Sequence, residues 1–119
     1  MRISDEEYFR SCIAKERHLA QLLGHHNIEE FYESAGTLWE DTTALPKWTR
    51  DWKACAQLMS AYDITVTYQT EPGETHSSSA SAGPFVVRFA DHPSKDQAIR
   101  CAIVKAVTHL LEHAKTHHH

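Results

Sequence analysis

The spacing of apolar residues predicts helices in the first part of the chain. Ser4 precedes Glu7 by three residues, the pattern of a capping box, in which each side chain bonds the backbone N–H of the other residue. Apolar residues at mainly helical spacing follow, namely Phe9, Ile13, Leu19, Leu22 and Leu23. Gly24 is a plausible left-handed stop, and Asn27 then caps a short second helix. We therefore predict a helical N-terminal segment over residues 4–35.

Two further amphipathic helices are predicted later in the chain. The first covers residues 49–62, with Thr49 as its N-cap. The second covers residues 95–114, where Ser94 and Gln97 form another capping box. Their apolar faces consist of Trp52, Cys55, Leu58, Met59 and Tyr62 in the first, and of Ile99, Ala102, Ile103, Ala106, Val107 and Leu110 in the second.

Between these two helices the apolar spacing changes to the alternation of a half-buried strand. The alternating residues are Ile64, Val66 and Tyr68, and later Phe85, Val87 and Phe89. They predict an antiparallel hairpin of strands 64–70 and 85–90, joined by a mobile loop over residues 71–84 that is rich in Ser, Gly and Pro. A short edge strand is expected near residues 37–41. The predicted fold class is α+β, a short antiparallel sheet packed by helices in one domain over residues 1–119.

The net charge and its distribution indicate which class of partner the protein can bind. The 119-residue chain has a formal net charge of -4, and the acidic residues are concentrated in the N-terminal segment 1–36, which favours a basic partner surface. A nucleic-acid-binding protein normally shows a clustered basic face, and the nearest approach here is Lys47, Arg50 and Lys53. Nucleic acid is therefore not the expected partner.

No stretch of the sequence suits a membrane span or a secretory signal. The most apolar segment, residues 98–111, is interrupted by Arg100 and Lys105 and is shorter than the roughly 20 residues that a span requires. The first residues turn acidic at once and lack the basic start and apolar run of a signal peptide. We expect no membrane association and a cytoplasmic location.

The three cysteines are predicted to be structural. Cys12, Cys55 and Cys101 are odd in number, far apart and placed in predicted helices. Free buried thiols in a reducing compartment explain that pattern. A zinc site would require paired cysteine spacing, and a nucleophilic cysteine would require a histidine partner that no motif supplies.

The histidines carry a weak metal hypothesis. His109, His113 and His117 are four residues apart and would form one helical stripe able to chelate a divalent metal. No carboxylate or cysteine stands beside the stripe to complete a site, so His109 and His113 are only weak candidates and we expect no metal and no cofactor. His117–His119 belong to a His-rich tail, residues 112–119, that is expected to fray and is either native or a tag remnant.

Two further groups of residues are candidates for a functional site. His92 beside Asp91 resembles half of an acid–base pair, although Pro93 marks a turn there. Trp48, flanked by Lys47 and Arg50, is expected to be exposed, and aromatic residues with arginine recur at interface hot spots. Trp48, Arg50 and Lys47 are therefore the partner-binding candidates.

Two stretches of the chain carry a family resemblance. They are Leu-Pro-Lys-Trp-Thr-Arg-Asp-Trp-Lys-Ala-Cys at residues 45–55 and the helix with its preceding turn at residues 91–106, and together they bracket residues 45–107. This combination resembles the phage ABA-sandwich domain proteins. The resemblance implies an origin in a phage or prophage, a short antiparallel sheet with helices packed against it, and no catalytic residue. The long acidic helical start, residues 1–36, departs from that pattern.

Three functions remain open at the level of sequence. The leading hypothesis is a non-enzymatic phage or prophage accessory protein that binds a host or phage protein. The second is a small metal-dependent or acid–base enzyme that uses His109 and His113, or Asp91 and His92. The third is a homo-oligomeric structural module such as a homodimer.

Overall fold

The computed structural model describes residues 4–30 and 36–116. Its helices are α1 (Asp5–Leu22), α2 (Trp52–Ala61) and α3 (Lys95–Thr116). Its strands are β1 (Ile28–Glu30), β2 (Leu38–Glu40), β3 (Thr43–Ala44), β4 (Val66–Gln69), β5 (Ser79–Ala82) and β6 (Phe85–Arg88). The strands form two antiparallel sheets in the orders β1-β2-β3 and β4-β5-β6. The predicted α+β class is confirmed.

Helix α1 begins as predicted but is followed by a strand. The backbone N–H of Glu7 donates to Oγ of Ser4 at 3.2 Å, and Gly24 has a φ of +99°. The predicted second helix after Asn27 is wrong where the chain is described, because Asn27 itself is left-handed with a φ of 55° and residues 28–30 pair with β2. The rest of that predicted helix, residues 31–35, lies outside the described residues.

Strand β2 is the centre of the first sheet. A strand near residues 37–41 is confirmed, but the expectation that it lies at an edge is wrong. Trp39 pairs with Glu29 of β1 on one side and with Ala44 of β3 on the other. The turn between β2 and β3 is tight enough to require a positive φ of 55° at Asp41.

Helix α2 is confirmed, with a later start than predicted. Asp51 is the N-cap, and its side chain accepts from the backbone N–H of Lys53 at 3.2 Å. Thr49 was the predicted cap, but its hydroxyl donates to the carboxylate of Glu16 at 2.5 Å. A buried acceptor on another helix therefore takes the side chain that a local cap would have used.

The predicted mobile loop over residues 71–84 contains the central strand of the second sheet. Strands β4 and β6 exist, but each pairs with β5, so the predicted direct hairpin between them is wrong. Ala80 and Ala82 are fully buried, and a Cβ on the next residue, Gly83, would lie 3.3 Å from Cβ of Ala106 on α3. Small residues let the helix lie close to the strand, and their low hydrophobicity conceals the strand in the sequence.

Helix α3 is the centre of the fold. It packs against α1, α2, β5 and β6, and its predicted cap is confirmed by the 3.1 Å bond from the Gln97 N–H to Oγ of Ser94. It runs to Thr116, and residues 117–119 lie outside the described part, so the fraying expected over residues 112–119 stays a prediction. Its buried residues are Ala98, Ile99, Cys101, Ala102, Ile103, Val104, Ala106 and Val107. Within the described ranges, no helix has the length and apolar character that crossing a membrane requires.

Candidate thiol site

Helices α1 and α3 run side by side in the same direction. Tyr8 near the start of α1 contacts Cys101, and His18 farther along α1 contacts Glu112 farther along α3. The contacts therefore advance together along both helices, which identifies a parallel pair. Polar and sulfur-containing side chains meet in the seam between them.

Two cysteines from different helices meet in this seam around one amide. Cys12 on α1 is 2 % exposed and Cys101 on α3 is 1 % exposed. Nε2 of Gln97 lies 3.5 Å from Sγ of Cys12 and 3.8 Å from Sγ of Cys101. One amide nitrogen therefore contacts both sulfur atoms.

Tyr8 and His92 complete the surroundings of Cys101. Oη of Tyr8 lies 3.3 Å from Sγ of Cys101 and also bonds Nδ1 of His92. The Tyr8 and His92 rings meet edge to face at 5.4 Å between centroids. A Tyr8 hydroxyl that donates to Cys101 can accept from the Nδ1–H tautomer of His92.

The two thiols of the site have opposite acidity. A hydrogen bond from Cys12 is the largest influence on Cys101, and it lowers the pKa of that thiol from 9.0 to about 4 against the opposing effect of burial. His92, Tyr8 and Gln97 lower the pKa further. The same contact with Cys101, followed by burial, raises the pKa of Cys12. Cys101 is therefore the more acidic of the two thiols, and Cys12 is the less acidic one.

The amide of Gln97 is oriented by charged and backbone partners. Nε2 donates to the carbonyl oxygen of Thr49 at 2.6 Å, and Oε1 accepts from Nη2 of Arg100 at 3.1 Å. A carbonyl requires a donor and a guanidinium requires an acceptor, so these two partners fix which end of the amide faces the sulfur atoms.

The buried carboxylate of Glu16 holds Thr49 in place by two hydrogen bonds. Glu16 is 1 % exposed and accepts from the backbone N–H of Thr49 at 3.2 Å and from its hydroxyl at 2.5 Å. Arg50 neutralises the charge, with Nη2 2.6 Å and Nε 3.1 Å from the Glu16 oxygens. The chain of contacts from Glu16 through Thr49 to Gln97 thus positions the amide at the thiols.

The third cysteine offers an internal comparison. Cys55 is also fully buried, and its sulfur lies 3.9 Å from the carbonyl oxygen of Arg100. Burial raises its pKa to about 12, although the charge of Arg100 opposes the shift. Burial without hydrogen-bond donors therefore raises the pKa of a thiol in this protein and makes the thiol unreactive. The donors around Cys101 lower its pKa instead.

The partner-binding candidates from the sequence are placed differently from one another. Trp48 is 5 % exposed and belongs to the core, so the expectation that it is exposed is wrong. Arg50 is held by Glu16 and also donates to the carbonyl oxygen of Gly36 at 3.0 Å. Lys47 is half-buried, and its backbone carbonyl accepts from two following N–H groups in a tight turn. The two residues after Trp48, Thr49 and Arg50, both contact Glu16.

The histidine candidates fall in two places. His109 and His113 are neighbours on α3 with ring centroids 4.2 Å apart, and His117 lies outside the described residues. Among residues 4–30 and 36–116, no group of three His, Cys, Asp or Glu side chains is arranged to hold a metal ion. His92 contacts Tyr8 and Cys101.

Sequence reasoning missed the thiol site because its parts are distant in the chain. Tyr8 and Cys101 are separated by 93 residues, and Gln97 and Cys12 by 85. A weak local signal did exist, since Tyr8 and Cys12 are four apart on one helix and Gln97 and Cys101 are four apart on another. Each pair shares a helix face, but only the packing of α1 on α3 joins the two faces.

The arrangement can carry out thiol chemistry on a small electrophile. It combines a thiolate, a second thiol in contact with it, and the proton donors Tyr8 and His92. The 1 % exposure of Cys101 leaves no room for a bulky acyl substrate in this conformation. A search of protein-family models, of curated proteins and of solved structures found no match for this chain.

Proposed function

We propose that the protein is a thiol-based redox switch, in which Cys101 reacts with hydrogen peroxide and Cys12 then forms a disulfide with it. The observation that supports this most strongly is the contact of both sulfur atoms with Nε2 of Gln97, at 3.5 Å and 3.8 Å. The lowered pKa of Cys101 and the retained proton of Cys12 assign the attacking and resolving thiols.

The proposed chemistry is stoichiometric and balanced. The Cys101 thiolate attacks one peroxide oxygen, so that an S–O bond forms, the O–O bond breaks, and the leaving hydroxide takes a proton from the Tyr8–His92 side of the site. The Cys12 sulfur then attacks the sulfenic acid, an S–S bond forms, and the second oxygen leaves as water with the thiol proton. One peroxide is reduced to two waters, and a cellular dithiol reverses the change by thiol–disulfide exchange.

Burial selects the oxidant. A peroxide is small enough to reach Cys101 through local opening of the α1–α3 seam, whereas a peptide or ester is not. This is the reason to favour a redox switch over the acid–base enzyme that His92 suggested in the sequence. The proposed switch requires a reducing compartment, the cytoplasm, because a free thiol pair persists there between oxidation events.

Peroxide titration with mass spectrometry tests the switch. Protein treated with hydrogen peroxide and digested without reductant should yield a Cys12–Cys101 disulfide while Cys55 stays unmodified. Cys12→Ser should stop at a sulfenic acid on Cys101 that dimedone traps, and Cys101→Ser should leave Cys12 reduced. Cys55→Ser, the matched control for loss of a buried thiol, should behave as wild type.

Two results would sink the proposal. One is oxidation of Cys101 no faster than oxidation of Cys55 in the folded protein. The other is persistence of the Cys101 sulfenic acid in the wild-type chain, with no disulfide to Cys12. Circular dichroism of each variant before treatment separates a chemical effect from loss of fold.

A second candidate is the non-catalytic protein-binding module that the sequence favoured. Tyr68 is 53 % exposed with Nζ of Lys95 5.1 Å from its ring centroid, and Trp52 is 39 % exposed with Cζ of Arg100 at 5.1 Å. Exposed aromatic rings beside cations are typical of interface hot spots. A phage or prophage origin and a host or phage partner stay predictions under this candidate.

Affinity capture tests the binding candidate. Tagged wild-type protein should retain a host or phage protein that Tyr68→Ala and Trp52→Ala both lose, whereas Val86→Ala, at a 67 % exposed apolar control position, keeps it. Capture that survives both aromatic substitutions would reject these rings as the binding surface. Light scattering on the same samples distinguishes self-association, the homodimer alternative.

A further inference from the structure

A groove opens in the same α1–α3 seam beyond the thiols. Its volume is about 280 Å³, at the small end of the range for ligand sites. It is lined by Lys15, His18, Phe85, Val104, Lys105, Thr108 and Glu112. Lys15 and Val104 each follow a site cysteine by three residues, so the groove begins about one helical turn past the sulfur atoms.

The lining combines apolar walls with an excess of positive charge. Phe85 from β6 and Val104 from α3 supply apolar surface, and Lys15 and Lys105 stand on the two helices. The single carboxylate of the lining, Glu112, already has a partner, because its Oε2 lies 3.3 Å from Nε2 of His18. Within the described residues, no carboxylate forms an ion pair with Lys15 or Lys105. The groove is therefore complementary to an anion with an apolar body.

A polar atom in the groove wall supports the same conclusion. Oγ1 of Thr108 is buried and has no hydrogen-bond partner among the described residues. A buried hydroxyl without a partner is destabilising. A ligand carboxylate oxygen would give it an acceptor after rotation about χ1.

We propose that this groove binds a short aliphatic carboxylate. The carboxylate lies between Lys15 and Lys105, and the alkyl chain lies over Phe85 and Val104. Charge complementarity selects the anion over the corresponding alcohol or amine, and the apolar walls select an alkyl chain over a purely polar anion such as phosphate. This binding does not depend on the proposed redox chemistry at Cys101.

Titration of the whole chain with octanoate, followed by NMR, tests the site. Octanoate should bind saturably and shift the resonances of Thr108, His18 and Phe85, and octanol should bind about tenfold more weakly because it lacks the charge. Lys15→Met and Lys105→Met should each weaken octanoate about tenfold, whereas Lys53→Met, an exposed lysine on α2, should leave it unchanged.

Several outcomes would overturn the assignment. Saturable binding of octanoate that Lys15→Met and Lys105→Met leave intact would place it elsewhere. Equal affinity for octanol and octanoate would remove the role of charge, and absence of saturation at millimolar octanoate would reject the site. Because both lysines are half-buried and lie outside the hydrophobic core, the amide spectra of the free variants should match that of wild type, which keeps the readout separate from folding.

Discussion

The side-chain amide of Gln97 donates to the backbone carbonyl of Thr49 at 2.6 Å, a bond that joins helix α3 to the turn before α2. Its second N–H is thereby directed at the two sulfur atoms of the thiol site. Gln97 is therefore a positioning residue, and Thr49 sets its direction.

Replacement of this amide should make Cys101 less acidic. Gln97→Leu removes an N–H donor that stabilises the thiolate, and we expect the pKa of Cys101 to rise by about one unit. The pH dependence of Cys101 alkylation by iodoacetamide, followed by mass spectrometry, measures the midpoint. Gln21→Leu, at an exposed position of α1, is the matched control and should leave it unchanged. An unshifted midpoint in Gln97→Leu would mean that the amide does not act on the thiolate.

Stability should depend on pH through Cys101. Its pKa is about 4 in the folded protein and 9.0 as the ordinary value, so unfolding takes up a proton between these limits. The stabilisation is complete above about pH 9 and is lost as pH falls toward about 4. Urea unfolding from about pH 5 to 8 should therefore show a stability difference between wild type and Cys101→Ala that grows with pH.

Cys55→Ala is the control for that pH dependence. Burial raises the pKa of Cys55 to about 12, so its contribution is present below the ordinary value of 9.0 and declines only as pH rises beyond it. The same urea series should give a constant difference between wild type and Cys55→Ala. Parallel curves for the Cys101 and Cys55 variants would argue against a buried thiolate.

The buried ion pair should contribute far more to stability than an exposed pair does. Arg50→Met leaves the 1 % exposed carboxylate of Glu16 without its countercharge, and we expect unfolding free energy to fall by about 3–5 kcal/mol. Arg10→Met breaks the exposed pair with Glu30 and should cost less than about 1 kcal/mol. Urea denaturation measures both, and similar losses would contradict the assignment.

Alanine substitutions at Gly36 and Gly24 distinguish the cost of backbone strain from the cost of steric crowding. Gly36 and Gly24 both have positive φ, so alanine at either position costs about 1 kcal/mol in backbone strain. A Cβ at Gly36 would also lie 2.6 Å from Cζ of Phe9 and 2.9 Å from Cδ1 of Ile13, whereas at Gly24 nothing lies within 4 Å. Gly36→Ala should therefore lower thermal stability by about 1–3 kcal/mol more than Gly24→Ala. Equal melting temperatures of the two variants would show that the α1 side chains move away from the added Cβ without a cost in stability.

Elements whose stabilising contacts join residues close in the chain could be predicted from the sequence. Elements that depend on small buried residues or on distant contacts could not. The bonds that begin α1 and α3 join Ser4 to Glu7 and Ser94 to Gln97, three residues apart, so the local sequence contains both partners. Strand β5 has no such signal, because Ala80 and Ala82 are buried for their small size and are held by strands on both sides. Trp48 shows the same limit, since its neighbours in the sequence are polar and yet it belongs to the core.

By itself, the sequence determined where helices α1 and α3 start, most of the apolar residues that these helices bury and that the fold is α+β, because those properties depend on residues within one or two helical turns. Only the tertiary structure decided that Cys101 lies among Tyr8, His92, Gln97 and Cys12. The acidity of a thiol depends on donors within hydrogen-bond distance. For Cys101, those from Tyr8 and Cys12 arrive on a helix from the other end of the chain.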